Sequence, residues 1–425
     1  MKEELPSDWK RERLEKLCLK TSQKDPRKDP ETPFIYVDVS SISTQSFSIV
    51  EAKSLIGKNA PSRARKLIRK DDIIFATVRP TLKRVAIISD EFDNQICSTG
   101  YCVLRPNKMH LFPPFLYFQL LTEKTTNRVA ALQKGATYPA ISDSDLFSQL
   151  ILLPPLPEQR AIARALRAVQ AARETRLREI ALERERKAAL MEHLFTHGTR
   201  GEPTKMTEIG EMPESWSMIQ LEEACIKIVD CPHSTPHFSP AGVLVVRNFN
   251  IRNGRLDLKF PSYTTEEEYS ERVKRCEPTE GDVLFSREAP VGEACLVPPD
   301  VRLCLGQRMM LLRVDTSKLN RFFLVQVFYS NAIRSIMMAI SSGVTAKHLN
   351  VADVKRLRIP FSSMEEQKQI SDILSACDSK ITALEHEASL HDELFRAMLE
   401  ELMNGRLLTR YLIESGSDSS VLNDI

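Results

Sequence analysis

The sequence predicts an α+β protein. Two pseudo-repeated globular domains are each followed by one long helix, and the two helices pair as an antiparallel coiled coil. Three observations carry this. Pro6, Trp9, Leu14, Glu15 and Cys18 recur at the same spacing as Pro213, Trp216, Leu221, Glu222 and Cys225. Unrelated segments match at about one position in twenty, so this is an internal repeat. A second pair of segments, EQRAIARAL from Glu158 and EQKQISDIL from Glu366, opens two long stretches that break only at Gly198 and Gly405. Finally, the second stretch holds an apolar seam at 4-3 spacing, which is a coiled-coil signal.

The totals bound the function classes. A chain of 425 residues has room for two domains. Apolar content of 42% and charged content of 27% are those of a soluble globular protein. The net charge is only +2, so any nucleic-acid-binding patch must be local. Nine cysteines, with no C-x-x-C pair, suit reduced thiols in a cytoplasm. The first residues, MKEELPSDWK, lack the apolar core of a signal peptide. No apolar run approaches the ~20 residues of a membrane helix, so no membrane partner is expected.

In chain order, residues 21–33 are polar and Pro-rich and read as a loop. FIYVDVSSISTQSFSIV reads as strand, turn, strand. A basic run follows as a loop entry: Arg63, Arg65, Lys66, Arg69 and Lys70. DDIIFATVRP is a turn feeding a buried strand, and GDVLFSREAP is its counterpart, aligning Asp72 with Asp282, Phe75 with Phe285 and Pro80 with Pro290. RVAIIS and YCVLRP are short β segments, and FLYFQLLTEKTTNRVAALQ is helical. Gly135, Thr137 and Asp145 align with Gly343, Thr345 and Asp353. Pro154, Pro155 and Pro157 make a stiff exit into the first long helix. The expected division is 1–157 and 213–365 for the domains, 158–197 and 366–404 for the helices, 198–212 for a linker and 405–425 for a partly disordered acidic tail.

Each helix, at about 38 residues, spans about 57 Å. That is too long to be buried on its own domain, so the helices pair with each other. In the second, the seam is Ile370, Leu374, Cys377, Ile381, Leu384, Ala388, His391, Phe395, Met398 and Leu402. In the first, Ile162, Leu166, Val169, Ile180, Leu190 and Leu194 keep it, while Arg173, Arg176, Glu183 and Lys187 interrupt it. Either the phase shifts to bring in Leu177, or these polar residues face a partner or water. His391 reads as a register-setting or layer-edge residue rather than a pH switch.

Catalytic motifs are missing: there is no Walker loop, GxGxxG, HExxH or GxSxG, and no catalytic residue is assigned. Cys231-Pro-His233-x3-His237 lacks the paired four-ligand spacing of zinc sites and reads as a Pro-rich loop, so no metal is assigned. Glu266–Glu268 reads as a helix start. Candidate DNA-binding residues in the first domain are Arg63, Arg65, Lys66, Arg79, Lys83, Arg84, Thr99 and Tyr138. In the second they are Arg247, Asn248, Arg287, Glu288, Gln307, Arg308 and Lys347. Lys and Arg bind phosphates, and Arg, Asn and Gln pair bidentately with base edges. The bland alternative is a solvated charged face. The two domains share framework but not these polar residues, which points to two targets read by one fold.

The doubled order of domain and helix, the junction LILLPPLPEQRAIARAL with its weaker copy LRIPFSSMEEQKQISDIL, and the GDVLFSREAP and LGQR segments resemble the specificity (S) subunit of type I restriction–modification systems. The second junction departs from the Pro-Leu-Pro form, keeping only Pro360. The resemblance implies two target-recognition domains, each reading half of a bipartite asymmetric DNA site, with the coiled coil as a ruler. It implies two methyltransferase (M) subunits that hold S-adenosylmethionine and methylate adenine N6. Restriction (R) subunits would use ATP and Mg. This chain would itself hold no cofactor and act in a prokaryotic cytoplasm. The rival from the residues alone is a coiled-coil scaffold with two protein-binding heads. A fused methyltransferase–specificity enzyme lacks the motifs and the spare length.

Overall fold

The computed structural model describes residues 6–343 and 347–407. The readings made for the first five residues, for Thr345 and for the tail beyond 407 lie outside them. The chain divides into two compact units, Met1–Arg178 with Glu385–Ile425, and Glu179–Leu384. Each unit thus takes in part of both long helices.

In the first unit, an antiparallel sheet runs in the order Cys18–Leu19, Tyr101–Pro106, Ile73–Ala76, Val85–Ile87. Ile73–Ala76 is buried throughout, as its unbroken apolar run requires. A second sheet has the order Lys53–Ile56, Pro33–Val37, Ile96–Ser98, Ala64–Leu67, and its central pair is parallel. The basic run expected in a loop therefore falls partly on a strand, Ala64–Leu67. The single helix expected over residues 115–133 is two, Pro113–Leu121 and Glu123–Ala131. They part at Thr122, which is extended and whose side chain accepts a hydrogen bond from the Thr125 amide as an N-cap. Lys10–Arg13 pairs with Leu150–Leu153, which leads into the first long helix, Leu156–His197.

The second unit repeats this plan. Its antiparallel sheet has the order Cys225–Asp230, Met309–Val314, Val283–Ser286, Ala294–Leu296. Val243–Val246 runs parallel to Leu303–Leu305. Two helices follow, Arg321–Tyr329 and Asn331–Ile340, and Ser217–Gln220 pairs with Arg358–Phe361 ahead of the second long helix, Met364–Met403. Glu266–Arg272 is a helix capped by Thr265, as its acidic start implies. The stretch expected to be a plain linker contains a hairpin, Thr204–Thr207 with Gly210–Pro213. Gly210 takes the positive φ of 97° at its turn, and Met212 is buried in the core beside Trp216.

One device recurs at both junctions and explains the Glu-Gln pairs. The Trp9 indole donates to Glu158 Oε2 (3.0 Å), and the Trp216 indole to Glu366 Oε2 (2.8 Å). Gln159 accepts from the Phe112 amide and donates to the His110 and Pro154 carbonyls. Gln367 accepts from the Asn320 amide and donates to the Lys318 and Ser362 carbonyls. Each glutamine is buried and satisfies three backbone groups where a loop meets a helix start. A second repeated device is an ion pair under the central strands. Arg105 grips buried Asp72 at 2.8 and 2.7 Å, and Arg313 grips buried Asp282 at 2.9 and 2.7 Å.

Within each unit the helix segments run antiparallel. In the first, Arg173 pairs with Asp392 and Arg176 with Glu387 (2.6 Å), and Phe395, Leu399 and Leu402 share a core with Ile162 and Leu166. In the second, Lys187 pairs with Asp378 (2.8 Å) and Glu183 with Lys380, and Met191, Leu194 and Phe195 share a core with Ile370 and Leu374. The interrupting polar residues thus face the other helix through ion pairs. No phase shift brings in Leu177, which is exposed. Seam residues Ile180, Ile381, Leu384 and Ala388 are buried, while Val169, Leu190, His391 and Met398 are half-buried.

Lys380 first, then Arg186, hold the Glu183 carboxyl below its ordinary value of 4.5. A depressed carboxylate contributes stability above its unfolded value that is lost as pH falls through the folded one. Thermal melts of Glu183→Gln should therefore match the parent's acid sensitivity less closely below about pH 4.5, the variant losing less stability there than the parent. Equal acid slopes for the two proteins would contradict the pairing.

All nine cysteines are free thiols. Burial pushes Cys18, Cys225 and Cys295 up to about 12 and Cys304 to about 11, which disfavours the thiolate; Cys295 and Cys304 are buried, and Cys18 and Cys225 are half-buried. Among the described residues, no single helix is long and apolar enough to cross a membrane.

Candidate nucleic-acid interface

In each unit the parallel strand pair ends at a corner where several loops meet. In the second unit, Val246 and Leu305 are register partners, so Arg247–Asn248 and Gln307–Arg308 leave side by side. The strand Val283–Ser286 ends there too, with the Arg287 amide donating to the Arg308 carbonyl (3.0 Å). His348 bridges to both Glu288 and Ser342. The corner therefore gathers all seven sequence candidates of this domain. In the first unit, Tyr36–Val37 pairs with Ile96–Cys97, the Thr77 amide donates to Gly100, and Val78 and Lys134 both bridge to Ala140. Thr99, Arg79 and Tyr138 lie at this matching corner, and the Arg63 carbonyl accepts from the Thr99 amide (2.8 Å).

The candidates differ in what they have left to offer. In the first unit Arg65 pairs with Asp25 (3.1 Å), Lys66 binds Asp143 and the Tyr101 carbonyl, and Lys83 pairs with Glu123 (2.6 Å). Each of these charges already has a partner within the chain. Arg84 is half-buried, with its Nε lacking a hydrogen-bond partner. Arg63, Arg79, Thr99 and Tyr138 are exposed, and the Arg79 guanidinium lies 5.3 Å from the Tyr138 ring centre. Arg79 and Lys83 both hold positive φ, which fixes a tight Pro80–Leu82 turn between them.

In the second unit Arg287 is buried, pairing with Asp230 (3.3 Å) and donating to the Leu349 carbonyl (3.3 Å). Glu288 holds Arg308 at 2.9 Å. Asn248 donates to the Ala289 carbonyl and Gln307 to the His233 carbonyl. Lys347 is exposed and reaches the Met338 carbonyl at 3.4 Å. His233 and His237 face Asp230 and Glu268 respectively rather than each other. No group of three potential metal ligands occurs among the described residues. The geometry makes Arg287 a brace for the corner. Arg287→Ala should cost about 1–3 kcal/mol by taking the cation from half-buried Asp230 and the donor from the Leu349 carbonyl, measured as a shift of the urea midpoint. An unshifted midpoint would show that the brace carries no load.

Sequence reasoning missed the aromatic side chains at this corner. Phe238 and Phe249 flank Arg247, with ring centres 5.2 and 4.6 Å from its guanidinium carbon. The local signals were present in PHFSP and RNFN.

A family model for the type I restriction modification DNA specificity domain matches this chain twice, over residues 6–184 and 213–391. The chain belongs to the type I restriction–modification specificity-subunit family. The two matches coincide with the two repeats, so this specificity subunit has two target-recognition domains. It is 26% identical over 344 residues to a putative type I restriction enzyme MjaX specificity subunit of Methanocaldococcus jannaschii, covering 79% of this chain and 78% of that one. It is 24% identical over 290 residues to the MjaVIII specificity subunit of the same organism, covering 66% and 67%. Among solved structures, a chain described under complex assembly and conformational transition of the type I R-M system matches with a TM-score of 0.59 and 29% identity, covering 95% of this chain and all of that one. The type I S subunit from M. genitalium, at 15% identity and a TM-score of 0.59, shares the fold.

Proposed function

We propose that this specificity subunit directs a type I complex to a bipartite, asymmetric DNA site, each domain reading one half from its strand-end corner. The observation that carries the reading is the contrast between the two corners. The framework is repeated almost strand for strand, but the side chains are not. At the exit of the first parallel strand, one domain has Asp38 capping the turn and the other has Arg247. Two frames with different chemistry suit two different half-sites. The paired helices set the gap between them as a ruler and dock two M subunits. Those hold S-adenosylmethionine and flip the target adenine for N6 methylation. R subunits add ATP- and Mg-dependent translocation and cleavage. The assembly works in a prokaryotic cytoplasm.

The test is a salt titration of binding by the complex of this chain with its M subunit, on duplexes with and without the site. Affinity should fall log-linearly with salt, at a slope of roughly −0.9 per phosphate neutralised, with cognate preference persisting. Binding without sequence preference at every ionic strength would contradict the reading.

A further inference from the structure

We propose that Arg247 reads a guanine edge in the half-site of the second domain, with Phe238 and Phe249 as its positioning residues. This deepens, and rests on, the reading of the domains as DNA-recognition modules. Among the described residues no hydrogen bond or ion pair engages the Arg247 guanidinium, although its neighbours are all committed. Asp230 and Glu288 are matched by Arg287 and Arg308, so among these five charges only that of Arg247 is uncompensated.

The side chain is nevertheless held in place. Two aromatic rings stand against the guanidinium, 5.2 and 4.6 Å away. Such contacts favour the planar cation and limit its rotation. The stem is fixed as well. The Arg247 amide donates to Asn250 Oδ1 (3.1 Å), and Gly306 packs so closely that a Cβ there would meet Arg247 Cγ at 3.0 Å. Phe238 remains 47% exposed, so the aromatic seat opens to the surface rather than closing over the cation. What is left to offer is the in-plane fork of N–H donors. That fork matches the O6 and N7 acceptors of guanine in the major groove. A phosphate accepts the same fork, so base selectivity is the readout that separates the two contacts. The first domain cannot make the same contact, because Asp38 stands at the equivalent exit and its carboxylate caps the following turn.

The test is selection of bound duplexes from a library randomised across both half-sites, using the complex of this chain with its M subunit. Arg247→Ala should reduce the preference for guanine at one position of the second half-site by roughly ten- to hundred-fold. Other positions, and the whole first half-site, should keep their preferences, which also shows that the variant folds. Arg247→Lys keeps the charge but not the fork. It should lose the same base preference while binding non-cognate duplex like the parent. Phe249→Leu should blunt the preference without moving it to another base. A uniform loss across all sequences would mean a phosphate contact, and an unchanged profile would mean a solvated side chain; either overturns the proposal. A parent complex with no preference in either half would overturn the recognition reading and this proposal together, whereas a parent preference untouched by Arg247→Ala overturns this proposal alone.

Discussion

Gln367→Leu is expected to destabilise the second unit by roughly 3 kcal/mol or more. The substitution keeps the bulk of the side chain and removes its polar end. It strands the Asn320 amide and the carbonyls of Lys318 and Ser362, all at the junction of domain and helix. Gln367 is fully buried, so water does not replace the lost partners without opening the junction. Urea unfolding followed by Trp216 fluorescence, in a Trp9→Phe background, reads this unit by itself. The midpoint should drop well below that of the background protein. An unchanged midpoint would mean that the glutamine is not the clasp that its three hydrogen bonds imply. Gln159→Leu should act in the same way on the first unit, through Phe112, His110 and Pro154.

Trp216→Ala is expected to cost about 3–5 kcal/mol. The indole is 1% exposed and packs edge-on to Phe195 and Phe323, with ring centres 6.1 and 6.0 Å away. Its loss opens a cavity where the first long helix, the domain core and the second junction share one cluster. It also takes the indole donor from Glu366, which is 4% exposed and otherwise accepts from the Thr199 amide at 3.0 Å. Trp216→Phe separates the two terms, since it fills most of the space and removes only the donor. It should cost about 1–2 kcal/mol. Calorimetry that found the two variants equally destabilised would place the whole effect in the lost hydrogen bond rather than in packing.

The repeat and the two Glu-Gln pairs were legible because they answer local demands. A helix start and the loop before it need partners at fixed spacing, and the glutamine supplies them whatever the rest of the chain does. The seam of the second helix was legible for the same reason, since 4-3 spacing is local. The polar interruption in the first helix was ambiguous because its resolution lies far along the chain. Arg173, Arg176, Glu183 and Lys187 find Asp392, Glu387, Lys380 and Asp378 on the other helix. The same limit governed the site. The sequence picked out segments that do converge, but not which cations would be spent on internal partners. Arg287 pairs with Asp230 and Lys66 with Asp143, partners that no local pattern ties to them. The hairpin at residues 204–213 was hidden by strands of four residues whose pattern resembles linker composition.

This chain, we propose, gives a methyltransferase a two-part address. Single-molecule mapping of N6-methyladenine in host DNA, with and without the gene for this chain, tests it most directly. The expected result is an interrupted motif, two specific blocks separated by a fixed unspecified gap, present with the chain and lost without it. Exchanging residues 213–363 for another family member's second domain should change one block and leave the other. A methylation pattern indifferent to the chain, or a motif with no gap, would contradict the proposal.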